Sequence, residues 1–227
     1  MSRTPDPGLA EIETLLQERY ESATVTLAEI GRAVIAPTVD LALEIERQAR
    51  ELRNSRRVID ENLLRSAAEP AQSPEDQRLL VALMQLSQQA GLIANQFESI
   101  AEQLQEVDPH VVDSQRTAEK LAGMAGLAVV QLSAALAAFT TRDLRLAHTL
   151  ERQDDLLDRL NREVFEATLD EHVSRDQREL ALRHVIIARC LERIGDNAVD
   201  IAEQAAYVIT AELREFTDAS EPKPPRP

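Results

Sequence analysis

The feature that most constrains this chain is how seldom it is interrupted. Its ten prolines fall at positions 5, 7, 37, 70, 74 and 109, and then only in the terminal run from 222 to 227. A proline within a helix forfeits a hydrogen bond and clashes with the preceding turn, so each one marks a boundary. Between these marks apolar residues recur at helical spacing, starting with Leu9, Ile12, Leu15 and Leu16. Long amphipathic helices joined by a few short breaks are the pattern that fits.

Six are predicted. The first begins near Leu9, runs through Thr14 to Ile35 and ends at Pro37, which sits near the start of the second; the second continues to about Arg65. Residues Ala67 to Pro74 form a connector, and Ser73, Pro74, Glu75 and Asp76 then supply cap, proline and first-turn acids for a third helix reaching Glu106. Asp108-Pro109 repeats that signal and opens a fourth helix ending near Phe139, with Thr140, Thr141 and Asp143 as the next break. The fifth is expected from Arg142 to Leu169 and the sixth from Ser174 to Glu215, followed by EPKPPRP, which cannot be helical and is expected to be disordered.

Composition agrees with an all-α chain. Among 227 residues aromatics make up 3%, Trp is absent and there are 6 Gly, too few β-formers and turn glycines for a sheet-rich domain. Asp+Glu 40 against Lys+Arg 25 leaves a formal charge of −15, which repels nucleic acid backbones and anionic lipid and favours cations or basic protein surfaces. Cys190 is the only cysteine, so there is no internal disulfide and no CxxC site. The longest apolar run, Leu121 to Val130, falls short of the ~20 residues a membrane helix needs, and the opening MSRTPDPGLAEIE lacks a signal peptide's apolar stretch. A cytoplasmic protein without membrane insertion or nucleic acid contact is the expectation.

The chain repeats itself. Ile100-Ala-Glu-Gln103 recurs as Ile201-Ala-Glu-Gln204, and on the same offset of 101 residues Leu79 falls on Leu180, Val81 on Leu182 and Ile93 on Ile194. Duplication of a three-helix unit follows, with halves at 1–107 and 108–215 and a tail at 216–227.

Glu192, Asp196 and Asp200 are spaced by four in the last helix, and each step of four turns only ~40°, so they form a stripe. Asp154, Asp155 and Asp158 lie on the preceding helix, and the midpoint between 154 and 192 falls at 173, at the expected turn. An antiparallel hairpin would set the two acid patches side by side, as oxygen ligands for Mg, Mn, Ca or Fe. The plainer reading stands beside it: the stripe points away from Leu191, Ile194, Ala198 and Ile201, where solvated charges normally lie. None of His110, His148, His172 and His184 follows a glutamate by three residues, so the Glu-x-x-His pair of di-iron bundles is missing, and each reads as a surface or helix-end histidine. Cys190 reads as a small core residue. Nothing forms a nucleophile elbow or a phosphate-cradling glycine loop, so no enzyme is indicated.

The segment Ile187-Ala-Arg-Cys-Leu-Glu-Arg-Ile-Gly-Asp-Asn-Ala-Val-Asp-Ile-Ala-Glu203 resembles the signature of the PhoU family, regulators of bacterial phosphate uptake, and the run from Asp143 through Asp154 and Asp158 looks like its companion helix. The resemblance implies a pair of tandem three-helix bundles related by a pseudo-twofold axis. It also implies a bound metal ion (Fe, Zn, Mn or Mg) on Asp154, Asp158, Glu192 and Asp196, with a less defined part for Asp200, where the family usually has Asn. In the first half the positions of Glu192, Asp196 and Asp200 hold Gly91, Asn95 and Ser99, and the companion acids fall on Ala49 and Arg53, so one metal site per chain is expected. The implied role is negative control of phosphate acquisition and of phosphate-starvation signalling. The implied partners are the phosphate transporter ATPase and the phosphate sensor histidine kinase, with a homodimer as the assembly. A helical scaffold without metal and a metal-storage bundle are the alternatives.

Overall fold

The computed structural model describes residues 6–69, 73–107, 115–150, 154–167, 174–214 and 216, with the backbone alone for Gln115, Asp154 and Asp155. Seven helices are found among them and no strand: α1 (Pro7–Ile35), α2 (Val39–Ala67), α3 (Pro74–Gln105), α4 (Gln115–Thr141), α5 (Leu144–Leu150), α6 (Asp154–Ala167) and α7 (Arg175–Thr210). The all-α class is as expected. Within the span read as one fifth helix, the described residues are helical over Leu144–Leu150 and Asp154–Ala167. The expected turn near 173, the Asp108-Pro109 start and all of the tail except Phe216 lie outside the described residues.

Side chains capping free backbone N–H groups set several of the boundaries. Asp6 accepts from the N–H groups of Gly8 and Leu9 to open α1, and Thr38 accepts from Leu41 to open α2. Ser73 with Asp76, and Ser174 with Gln177, close reciprocal capping boxes at the starts of α3 and α7. The last helix stops at Thr210, five residues before the expected Glu215. There Ala211 adopts a left-handed φ of 61°, and Thr210 Oγ1 takes the Glu212 N–H, which turns the chain out of the helix.

The helices form a ring in which α2 packs on α1 and α3, α3 on α7, α7 on α6, α6 on α4, and α4 back on α1, with α1·α3 and α4·α7 contacts across it. α1 and α4 run antiparallel: Glu13 pairs with Arg142 at 2.9 Å at one end, and Gly31 meets Ala125 at the other. α3 and α7 do the same, joined by Gln89 with Asp200 and by Arg183 with Glu106. Equivalent helices of the two repeats thus pair head to tail. One apolar core runs through both, with Tyr20, Phe97 and Phe139 among its largest wholly buried side chains. Burying each such side chain stabilises the fold by roughly 1.5–3 kcal/mol before entropy is counted.

By length and composition alone α4, over Arg116–Thr141, is long and apolar enough to cross a membrane, although no single apolar run in it is. In the bundle half of its most apolar window is buried against neighbouring helices. Its apolar content is accounted for by its packing against α1, α6 and α7.

Candidate metal groove between α6 and α7

Gly195 governs how α6 meets α7. A Cβ built there would stand 2.5 Å from Leu157 Cδ2 and 2.8 Å from Gln131 Oε1, so any larger residue would have to push one or both of these side-chain ends aside. The contact also sets the register. With Leu157 against Gly195, Asp158 lies roughly level with Ile194, between Glu192 and Asp196. Asp154, whose side chain lies outside the described residues, is level with Ala198 and not with Glu192. The pairing expected from the turn midpoint is therefore displaced by about 9 Å along the helix axis. A midpoint argument assumes that the strands of a hairpin advance equally from a tight turn; here the glycine notch decides.

The stripe Glu192, Asp196, Asp200 does not share one environment. Glu192 is buried, 7% exposed, and its carboxylate takes the Arg189 guanidinium one turn earlier. Asp196 is exposed, facing solvent beside α6. Asp200 is half-buried and accepts from Gln89 Nε2 of α3 at 2.9 Å. Two steps of ~40° rotate the stripe from the α6 side, across solvent, to the α3 seam. The solvated-face reading thus describes Asp196 and fails for Glu192, and the single-groove reading fails for Asp200.

The remaining expectations divide. Cys190 is buried as a core residue, and burial pushes its thiol above the ordinary range. His184 is buried within α7, 5% exposed, contrary to its reading as a surface or helix-end residue: it falls on the inward side of α7 with Leu180, Ile187 and Leu191. His148 lies in the last turn of α5 with its ring 5.2 Å from that of Phe216. His110 and His172 are outside the described residues.

The donor chemistry of the groove suits a hard cation: carboxylates from both helices, and Gln131 Oε1, a buried oxygen with no hydrogen bond, at its floor. Gln131 is 2% exposed. It was overlooked in the sequence although it is the only polar side chain in the apolar run Leu121 to Leu132. Among the described residues no three His, Cys, Asp or Glu side chains converge closely enough to hold an ion. Asp158, Glu192 and Asp196 therefore do not make an ion site among themselves.

The first-half counterpart is filled differently. Gly91 stands at the position of Glu192, and Arg56 of α2 lies across it, with Cδ and Cζ 2.9 and 3.1 Å from where a Cβ would be. Asn95, at the position of Asp196, accepts from Arg53 Nη2 at 3.2 Å, and Arg53 also binds Glu98.

Comparison with known proteins places these features. A family profile described as PhoU domain matches residues 121–205, which include α6 and most of α7. The phosphate-specific transport system accessory protein PhoU homolog 1 of Methanothermobacter thermautotrophicus is 28% identical over 215 residues, covering 87% of this chain and 95% of its own. That of Thermotoga maritima is 34% identical over 103 residues, 43% of each chain. The crystal structure of the phosphate transport system regulatory protein PhoU from Streptococcus pneumoniae superposes with a TM-score of 0.79 at 20% identity, over 91% of this chain and 97% of that one. PhoU from Pseudomonas aeruginosa gives 0.82 at 21% identity, over 90% and 98%. These structural likenesses show the fold.

Proposed function

We propose that this chain, whose residues 121–205 match the PhoU domain, is an accessory regulator of phosphate transport that works through protein contacts and not as an enzyme. The observation that carries this reading is the family match over residues 121–205, the same segment that folds into the acidic groove. Its finer content is negative control when phosphate is plentiful, exerted in the cytoplasm by a homodimer on the transporter ATPase and on the phosphate sensor histidine kinase. A surface with a formal charge of −15 suits basic patches on such partners, and long helices offer extended docking faces.

A bound divalent or trivalent ion, Fe, Zn, Mn or Mg, would supply charge neutralisation and a cross-link between helices. Asp154 and Asp158 on α6 and Glu192 and Asp196 on α7 would hold it, with Gln131 Oε1 beneath; Asp200 is engaged at the α3 seam and is left out of the set. Neutralising these acids would strengthen the packing of α6 on α7 and so bias which partner surface is presented. One such site per chain is the reading for the two halves, the first having Gly91, Asn95, Ala49 and Arg53 where the second has acids.

The test is twofold. Deleting the gene in its own host should derepress phosphate-starvation genes in high phosphate; unchanged repression would remove the regulatory role. Elemental mass spectrometry on untagged protein should find about one site's worth of metal, absent from Glu192→Gln/Asp196→Asn. No metal in either, with partner binding intact, would leave the helical scaffold reading.

A further inference from the structure

We propose that the face made by α2, α3, α7 and α6 is a two-point docking surface for a twofold-symmetric protein dimer. Each subunit of that dimer seats an apolar cluster on one half of this chain. The proposal deepens the partner reading given under the proposed function and rests on it for its probes. The contacts of α2 with α3, α3 with α7 and α7 with α6 set the four helices side by side.

Two exposed apolar clusters lie on this face. Asp60 of α2 accepts from Ser87 Oγ of α3. One turn further along α2 and one turn back along α3, the same seam carries Leu64 and Met84, with Val81 a turn beyond. In the second half Leu157 of α6 meets Gly195 of α7, and further along that seam stand Phe165 on α6 and Val185 and Leu182 on α7. Val185 is half-buried; the other five range from 42% exposed at Met84 to 63% at Leu64.

Single exposed apolar side chains are ordinary on a protein surface. These recur. On the offset of 101 residues Val81 falls on Leu182 and Met84 on Val185. The outward positions nearer the middle of the same two helices change character instead: Gln88 to Arg189, Leu92 to Arg193 and Asn95 to Asp196. Core packing does not hold an exposed position apolar, so its retention at both ends reflects a contact that each half makes.

The spacing and symmetry say what fits. Gln89 with Asp200 and Glu106 with Arg183 fix the antiparallel register of α3 and α7. In that register Met84 and Val185 stand about 20 residues apart along the axis, roughly 30 Å. The clusters are related by a half-turn about an axis normal to the face, near Ala94 and Gly195. One core runs through both halves, which holds the separation fixed. The middle of the face is charged, with Arg53 paired to Glu98, and with Arg193 and Asp196 exposed. An apolar helix laid along the whole face would bury those charges, at a cost in desolvation. A dimer with one apolar contact per subunit touches the two ends and leaves the middle wet. Engaging both at once makes the second contact intramolecular, which raises affinity by about 10²–10⁴ over either alone.

The probes are the transporter ATPase and the cytoplasmic part of the sensor histidine kinase of the same host, each purified as a dimer. Light scattering of the mixture with the full chain should find one chain per probe dimer. Met84→Glu and Leu182→Glu should each weaken binding about a hundredfold, and together abolish it. Val130→Glu, exposed on α4 and outside this face, should bind as the wild type does. Two chains per dimer, or either single variant binding like the wild type, would overturn the inference and leave the partner reading intact. A dimer of this chain that the same substitutions dissociate, with probe binding unaltered, would give the face to a second copy and also overturn it. Binding of neither probe by the wild type would overturn the inference together with the partner reading. If Met84→Glu or Leu182→Glu does not fold, Leu64→Lys and Phe165→Lys on the neighbouring helices make the same comparison.

Discussion

Leu157 of α6 packs into the notch left by Gly195 of α7, with Cδ2 2.5 Å from the point a Cβ would occupy. This one contact brings α4, α6 and α7 together, since Gln131 of α4 reaches the same notch.

Gly195→Ala should destabilise the protein by up to about 2 kcal/mol. Overpacking costs about 1–3 kcal/mol, offset by the roughly 1 kcal/mol that alanine gains in a helix. Gly126→Ala, on the same bundle with open space around it, should gain about 1 kcal/mol from that propensity. Urea unfolding of the two variants should move in opposite directions, and a stabilised Gly195→Ala would mean the notch is not tight.

Tyr20 is wholly buried and donates its hydroxyl to the Leu86 carbonyl at 2.6 Å. Burial pushes its phenol far above the ordinary range. A group raised in the folded state contributes its stability fully below the unfolded pKa of about 10, and that contribution is lost as pH climbs above it. Unfolding midpoints should therefore fall steeply between pH 9 and 12, and less steeply in Tyr20→Phe. Equal slopes in the two proteins would assign the alkaline transition elsewhere.

The two capping boxes should differ in weight. The buried Asp76, which closes the box with Ser73, also accepts the Asp6 N–H, linking the starts of α1 and α3. Ser174 caps an exposed first turn. Ser73→Ala should cost about 1–2 kcal/mol and Ser174→Ala about 0.5 kcal/mol, read from thermal unfolding. A larger loss at Ser174 would contradict the ranking.

Cys190 should be slow to react with a thiol reagent at pH 8 in the native protein, because the thiolate is the reactive form and burial disfavours it. Its labelling rate should rise along the urea unfolding curve. Reaction at the free-thiol rate without urea would show that the α3/α7 seam opens readily.

Much of this was legible in the residues. Ser73-Pro74-Glu75-Asp76 announced a helix start that the structure places at Pro74, because a cap is a local hydrogen bond between residues three apart. The repeat and its acidic motif could be read along one strand of sequence for the same reason. Register could not: Asp154 was set against Glu192 from a turn midpoint, whereas Leu157 against Gly195 moves that pairing by more than a turn. Gln131 and Arg56 were silent because their meaning lies on helices distant in sequence.

The sequence by itself determined the class of the molecule, the long helices and several of their caps, and a resemblance to the PhoU family over its second half. Periodicity, capping and motif spacing are properties of neighbours within a few turns. Tertiary structure alone decided that Glu192 is buried, that Asp196 faces water and that Asp200 turns to Gln89. It alone laid Arg56 over Gly91. A rotation of ~40° at each fourth residue is enough to send three carboxylates of one stripe to three surroundings, once other helices have taken their places around it.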